Sequence, residues 1–192
     1  MAIRDIIVVE HPVLRKKARK VEKVTPEIRA LIDDMIDTMR DAPGVGLAAP
    51  QVNVGKRVIV VEYAEDEDAP AETPEGEPLK PARKKLYTVV NPEVVFQSDE
   101  TVEGAEGCLS IPGWMGLVDR RQAIGIKGLD RNGRPFKLKA EGWLARIFQH
   151  EIDHLNGVLF LDHIKSPDKL WRTPPPEAES EAEAKPRAAR FG

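Results

Sequence analysis

Five short runs rich in β-branched residues stand in series with no helical pattern between them: VIVVEY (58–63), LYTVV (86–90), EVVFQ (93–97), AIGIKGL (123–129) and PFKLKA (135–140). Most are bounded by Gly, Pro, Asn or Asp, residues that supply turn backbone angles or remove a ladder donor. Helical periodicity flanks the series. In TPEIRALIDDMIDTMRDA, Thr25 can cap, Pro26 suits the first turn, and Ile28, Leu31, Ile32, Met35, Ile36 and Met39 repeat at helical spacing. A second helix is predicted over about Gly142 to Asn156, with Gly157 where a C-terminal cap belongs. Strands in a row with helices set apart read as α+β with antiparallel strands, not as alternating βαβ units. The N-terminal MAIRDIIVVEH is read as one more strand.

The chain has 192 residues, 41% of them hydrophobic, enough for one domain with its own core. Residues 1–172 are expected to form that domain. Two segments look different. Residues 64–80, AEDEDAPAETPEGEPLK, and the basic PARKK after them predict a mobile loop over about 64–85, and the tail 173–192 is expected to be disordered or weakly helical. A net charge of −3 argues against a nucleic-acid binder. No apolar stretch approaches the roughly 20 residues of a membrane span, the N-terminus lacks a signal-peptide pattern, and the single cysteine, Cys108, excludes an internal disulfide. The chain reads as cytosolic.

Within the second helix, FQHEIDH puts His150 and His154 four residues apart with Glu151 directly after the first. Positions i and i+4 stack on one helix face, so both imidazoles can converge on one ion while Glu151 points beside it. Two imidazoles need a third ligand. The metzincin pattern places a histidine six residues after the second, where this chain has Phe160. Glutamates from Glu177 onward lie in a tail without apolar residues to hold them rigidly. Cys108, in AEGCLSIPG, remains. A lone cysteine is by default a small buried hydrophobe, but beside HExxH the ligand reading is preferred. Three protein ligands without a fourth leave a place for water, as catalytic sites do. Glu151 is then expected to take a proton from metal-activated water and deliver it to a leaving amine.

Acyl hydrolysis also needs donors aimed at the oxygen that becomes negative. PGVGLAAPQ, residues 43–51, fits G-x-G-x-x-A, but it follows a helix and contains Pro50, so a dinucleotide loop is rejected. Small residues at Gly46, Ala48 and Ala49 instead let backbone pass close to a substrate. Gln51 offers a side-chain amide that either donates to an oxyanion or stabilises a turn.

Taken in order, GVGLAAPQ, EGCLS and QHEIDH resemble the peptide deformylases, over roughly residues 3 to 165. The resemblance implies antiparallel strands packed around a central metal-binding helix, with an N-terminal helix beside it. It implies removal of the formyl group from N-formylmethionine of nascent bacterial polypeptides. Cys108, His150 and His154 would hold one divalent metal, typically Fe(II) and replaceable by Zn, Ni or Co. Glu151 would be the acid/base, and Gln51 with the Leu109 N–H would stabilise the oxyanion. Glu106 and Arg120 match the family's supporting ion pair. A formyl carbon bears only hydrogen, so close approach at Gly46 excludes larger acyl groups, while Val45 and Ile147 are candidate walls of a methionine slot. The resemblance adds Trp143 and Arg146 to that slot. Arg146 departs from the usual aliphatic lining; its stem is expected to pack while its head reaches water. GWMG at 113–116 lacks the basic residue some members place near substrate. The family also docks on the ribosome near the nascent-chain exit through a C-terminal helix, but this tail is acidic and proline-rich before its basic end. The alternatives are an HExxH metallopeptidase cleaving unformylated peptide bonds, and a noncatalytic metal module with a fourth ligand.

Overall fold

The computed structural model describes residues 2–64 and 84–173. The acidic stretch expected to be a mobile loop falls, apart from its ends, outside the described residues, as does the tail from residue 174. Among the described residues the chain forms two antiparallel sheets and two α-helices, with short 3₁₀ turns between. One sheet has five strands in the order β1 (Gly46–Ala48), β2 (Val58–Tyr63), β3 (Lys85–Gln97), β6 (Ala123–Leu129), β7 (Pro135–Glu141). The other has three, in the order β4 (Thr101–Cys108), β5 (Ile111–Arg121), β8 (Leu170–Arg172). The helices are α1 (Pro26–Asp41) and α2 (Gly142–Asn156).

β2 explains how the larger sheet is covered. Val58 to Val61 are all fully buried because the strand carries a helix on each face. Side chains alternate across a strand. Ile59 and Val61 pack with Tyr87, Val89, Ile124 and Ile126 against Leu144, Phe148 and Ile152 of α2. Val58 and Val60 pack with Leu47 and Val90 against Leu31, Ile32, Met35 and Met39 of α1. A strand covered on both sides loses polar alternation, which is why VIVV reads as one apolar run. Each such side chain contributes roughly 1.5–3 kcal/mol when fully buried.

Among the predicted runs, 58–63 and 123–129 coincide with β2 and β6, and β7 extends 135–140 by one residue. The runs 86–90 and 93–97 are one strand, β3. Its pairing with β6 shifts register between Val90 and Glu93, and Asn91 between them takes a left-handed φ of 53°. The N-terminal stretch is not a strand. Its backbone bonds go elsewhere: the Ala2 N–H donates to Asp34 Oδ1 (2.8 Å), that of Arg4 to Thr38 Oγ1 (2.9 Å) and that of Ile7 to the Gln51 carbonyl (2.9 Å). The neighbour it meets first is the polar side of α1, which offers side chains and no sheet edge. Among the described residues no helix is long and apolar enough to cross a membrane.

Helix α2 begins directly after β7 and ends at Gly157, whose φ is 76°. A Cβ there would also lie 2.7 Å from the Arg15 carbonyl oxygen, so the cap requires glycine on two grounds. Packing of α2 on the five-stranded sheet and its contacts with β5 bring the histidine face to the end of β4, where Cys108 sits.

Candidate metal centre

The ligating atoms of Cys108, His150 and His154 all lie within 4.8 Å of one another, and among the described residues no fourth His, Cys, Asp or Glu joins the group. The two imidazoles come from successive turns of α2, with ring centroids 4.9 Å apart. Cys108 closes β4 at a register shift in the β4–β5 hairpin, and its Sγ lies 3.3 Å from His154 Nε2. Bonds of roughly 2.3 Å to sulfur and 2.0–2.1 Å to nitrogen would fit a cation between them. The donor set also fits chemically. Burial, with the positive charge of Arg120 beside it, holds the His154 imidazole well below its usual pKa and so keeps it neutral, as a metal ligand must be.

His150 is oriented from outside. Its Nδ1 lies 2.9 Å from Glu106 Oε2, which leaves Nε2 for the ion. Glu106, next but one to Cys108 on β4, is 5% exposed and receives Arg120 twice, Nε on Oε1 (2.8 Å) and Nη2 on Oε2 (3.0 Å). Burial opposes its ionisation, but the hydrogen bonds from His150 and Arg120 outweigh this and lower the carboxyl to about 2. The expected Glu106–Arg120 pair is therefore present, and it extends further. Arg120 Nη1 also donates to Asp153 Oδ2 (2.6 Å), which His163 Nε2 meets at 2.8 Å.

Glu151 has the opposite surroundings. It is 4% exposed, and no described residue donates to its Oε2. Burial, with the negative charges of Glu106 and Asp153 adding and His150 opposing, pushes its carboxyl up to about 7. It lies against Gly46 of β1, where a Cβ would fall 2.4 Å from Glu151 Oε1. His154 Nδ1 likewise has no partner among the described residues.

Gln51 occupies a 3₁₀ turn, Ala49–Val52, that Pro50 opens at an early position. Its Oε1 accepts from the Ala48 N–H (2.8 Å), and its Nε2 donates to Ser110 Oγ (3.3 Å) and Cys108 Sγ (3.6 Å). The oxygen holds the turn, and the amide nitrogen reaches Cys108, one of the candidate ligands.

A cavity of about 580 Å³ opens at this point. Val45, Gly46, Gln51, Cys108, Leu109, Trp143, Arg146, Ile147, His150 and Glu151 all line it, whereas His154 is buried without reaching it. Ile147 is buried, and Val45 (41% exposed) and Trp143 (45%) stand at the rim. Arg146 differs from expectation. The residue lines the cavity, but its head does not reach water: it is 6% exposed and the guanidinium is turned to Glu106 and to backbone carbonyls. The cause is the buried negative charge of Glu106, which attracts the cation inward. Sequence reasoning passed over Ser110 and Tyr63, and it noted the stretch GWMG only for the basic residue it lacks, whereas Trp114 and Met115 line the cavity. Ser110 is two residues from Cys108 in EGCLS, a signal at hand; Tyr63 and Trp114 reach the cavity only through sheet pairing.

Residues 3–170 match the Polypeptide deformylase family. The peptide deformylase of Thermomicrobium roseum is 45% identical over 188 residues, covering 96% of this chain and 98% of that protein. That of Symbiobacterium thermophilum is 48% identical over 162 residues, covering 84% and 67%. Among solved structures, Ehrlichia chaffeensis peptide deformylase in complex with actinonin superposes with a TM-score of 0.75 at 41% identity, covering 88% of this chain and 92% of that one. Thermotoga maritima peptide deformylase gives 0.75 at 36% identity, covering 86% and 100%.

Proposed function

The chain belongs to the polypeptide deformylase family, and from that premise we propose that Cys108, His150 and His154 hold its metal, that Glu151 moves the proton, and that Gln51 with the Leu109 N–H binds the developing oxyanion. The reaction of the family is hydrolysis of the formyl amide on the N-terminal methionine of nascent polypeptides, giving formate and a free amine. When bound, the divalent metal supplies Lewis acidity, polarising the formyl carbonyl and making water a nucleophile at neutral pH.

The residues of this chain divide the remaining work. Glu151 accepts the proton of the attacking water and gives it to the leaving nitrogen, so that the amine departs neutral. Burial raises this carboxyl to about 7 in the metal-free chain, so it is not a committed anion, and its open Oε2 leaves room for a proton to be taken up and returned. Gln51 is held by the Ala48 N–H through its oxygen, which aims its Nε2 hydrogens towards the candidate ligands. Leu109 follows Cys108 directly and lines the same cavity, which makes its N–H the second donor of this reading. Preorganised donors of this kind need no reorganisation as charge develops. Gly46 keeps the approach narrow enough for a formyl hydrogen, and Val45, Ile147 and Trp143 line the slot for the methionine side chain. On this reading the catalytic unit ends with β8 at Arg172.

The observation that carries the proposal is a half-buried thiol, a half-buried imidazole and a buried one converging beside a buried carboxylate whose Oε2 has no partner among the described residues. A thiolate with two imidazoles suits borderline divalent ions; we assign Fe(II) as the native metal, with Zn, Ni or Co able to replace it. A thiolate on ferrous iron is also prone to oxidation. The test is formate release from a formyl-Met peptide by anaerobically purified protein, with metal content measured on the same sample. Internal cleavage of an unformylated peptide without formate would overturn the reading in favour of a metallopeptidase.

A further inference from the structure

We propose that Arg146 is a positioning residue for the metal centre: its buried guanidinium ties helix α2, which carries His150 and His154, to strand β4, which carries Cys108. The inference rests on the ligand assignment proposed above.

The three ligands come from elements that belong to different layers. Helix α2 packs its apolar side on the five-stranded sheet, whereas Cys108 ends a strand of the three-stranded one. Something must fix the gap between them. Arg146 lies one turn before His150, and its guanidinium crosses that gap. Nη1 donates to Glu106 Oε1 (2.9 Å), to the Val118 carbonyl of β5 (2.8 Å) and to the Gly104 carbonyl of β4 (3.2 Å), and Nη2 donates to the Val102 carbonyl of β4 (2.6 Å). Planar, multiply donating geometry of this kind is what arginine supplies and a lysine point charge does not.

The same contact completes the surroundings of Glu106. Its Oε1 receives Arg120 and Arg146, and its Oε2 receives Arg120 and lies against His150. Arg120 and Arg146 balance the charges of Glu106 and Asp153, so the cluster that orients His150 is neutral as a whole. Strand β4 is also shaped for this cation. A Cβ at Gly104 would lie 2.8 Å from both Cζ and Nη2 of Arg146, so a side chain there would displace the guanidinium. An arginine serving only as a wall of the methionine slot would need neither the missing Cβ nor four internal acceptors.

Anaerobic titration of metal-free protein with Co(II), read by the thiolate-to-cobalt absorption band, tests this. Wild type is expected to bind one Co(II) with the band, and Cys108→Ala to lose it; no band in wild type, or an unchanged titration in Cys108→Ala, would overturn the ligand assignment itself. With that assignment intact, Arg146→Leu is expected to bind Co(II) roughly 10- to 100-fold more weakly with an altered band, and Arg146→Lys to recover part of the loss. Gly104→Ala, which keeps every charge, is expected to weaken binding in wild type and to add little in the Arg146→Leu background, as coupled positions do. Wild-type affinity and band in Arg146→Leu overturn the proposal whatever its melting temperature. Should Arg146→Leu not fold, wild-type affinity and band in Gly104→Ala do so instead.

Discussion

Glu106 and Glu151 both approach His150 and are almost equally buried, at 5% and 4% exposure, yet their carboxyls are driven apart, to about 2 and about 7. Burial acts in the same direction on both. The difference lies in the donors: Glu106 is met on both oxygens by Arg120 and by His150, while one oxygen of Glu151 has no described partner. A carboxylate saturated with donors is an anchor with no proton to trade at neutral pH. One left open beside a cavity is able to exchange a proton there, which is the pairing of environments that separates support from acid/base roles. A single turn of helix and one strand thus make two carboxylates of different proton affinity.

The largest effect is expected from breaking the open side. Glu151→Ala should lower formate release by about 10³-fold or more while metal content stays near one ion per chain, in line with the 10²–10⁴ that positioned proton transfer provides. Cys108→Ala should lose both activity and metal; equal metal contents in the two variants would contradict the division of roles. Next, Gln51→Ala should cost roughly 10²–10³ in kcat, the size of one oxyanion donor, with KM little changed. A loss confined to thermal stability would make Gln51 a turn residue only. Somewhat smaller again is Gly46→Ala, in which the new methyl meets Glu151 Oε1 at 2.4 Å. Displacing the carboxylate by a fraction of that contact should lower kcat by about 10²-fold with metal retained, and an unaltered rate would show that β1 does not set the position of Glu151.

The open side was the more legible of the two. HExxH has helical spacing written into it, and Gly157 marks its end, so α2 matches its predicted span and His150, Glu151 and His154 fall as the periodicity requires. The supporting side depends on partners far apart in sequence. Strands β4 and β5 carry Glu106, Cys108 and Arg120, but TVEGAEGC and IPGWMGLVDRR are too rich in Gly and polar residues to read as strands alone. They become strands by pairing with each other and with β8. Arg146 shows the same limit of local reasoning. A long cation on a helix is expected to extend to water, and only the buried charge of Glu106, forty residues earlier, reverses that preference.

The anchor side gives the smallest effect, and its sign follows from linkage. The Glu106 carboxyl is lowered from the ordinary 4.5 to about 2 in the folded chain. A group depressed in the folded state stabilises it above the unfolded pKa, and that contribution fades as pH falls from about 4.5 through about 2. The shift corresponds to about 3 kcal/mol at neutral pH. Urea unfolding of metal-free protein should therefore show wild type more stable than Glu106→Gln by about that amount at pH 6, with the difference narrowing steadily between pH 4.5 and pH 2. Metal-free protein is the right sample because acid also removes the ion. A difference that stays constant across that range would mean that the glutamine loses packing or hydrogen bonds and no ionised partner. A difference that grows as pH falls would place the Glu106 carboxyl above its unfolded value, and the contrast with Glu151 would then have to come from something other than donors.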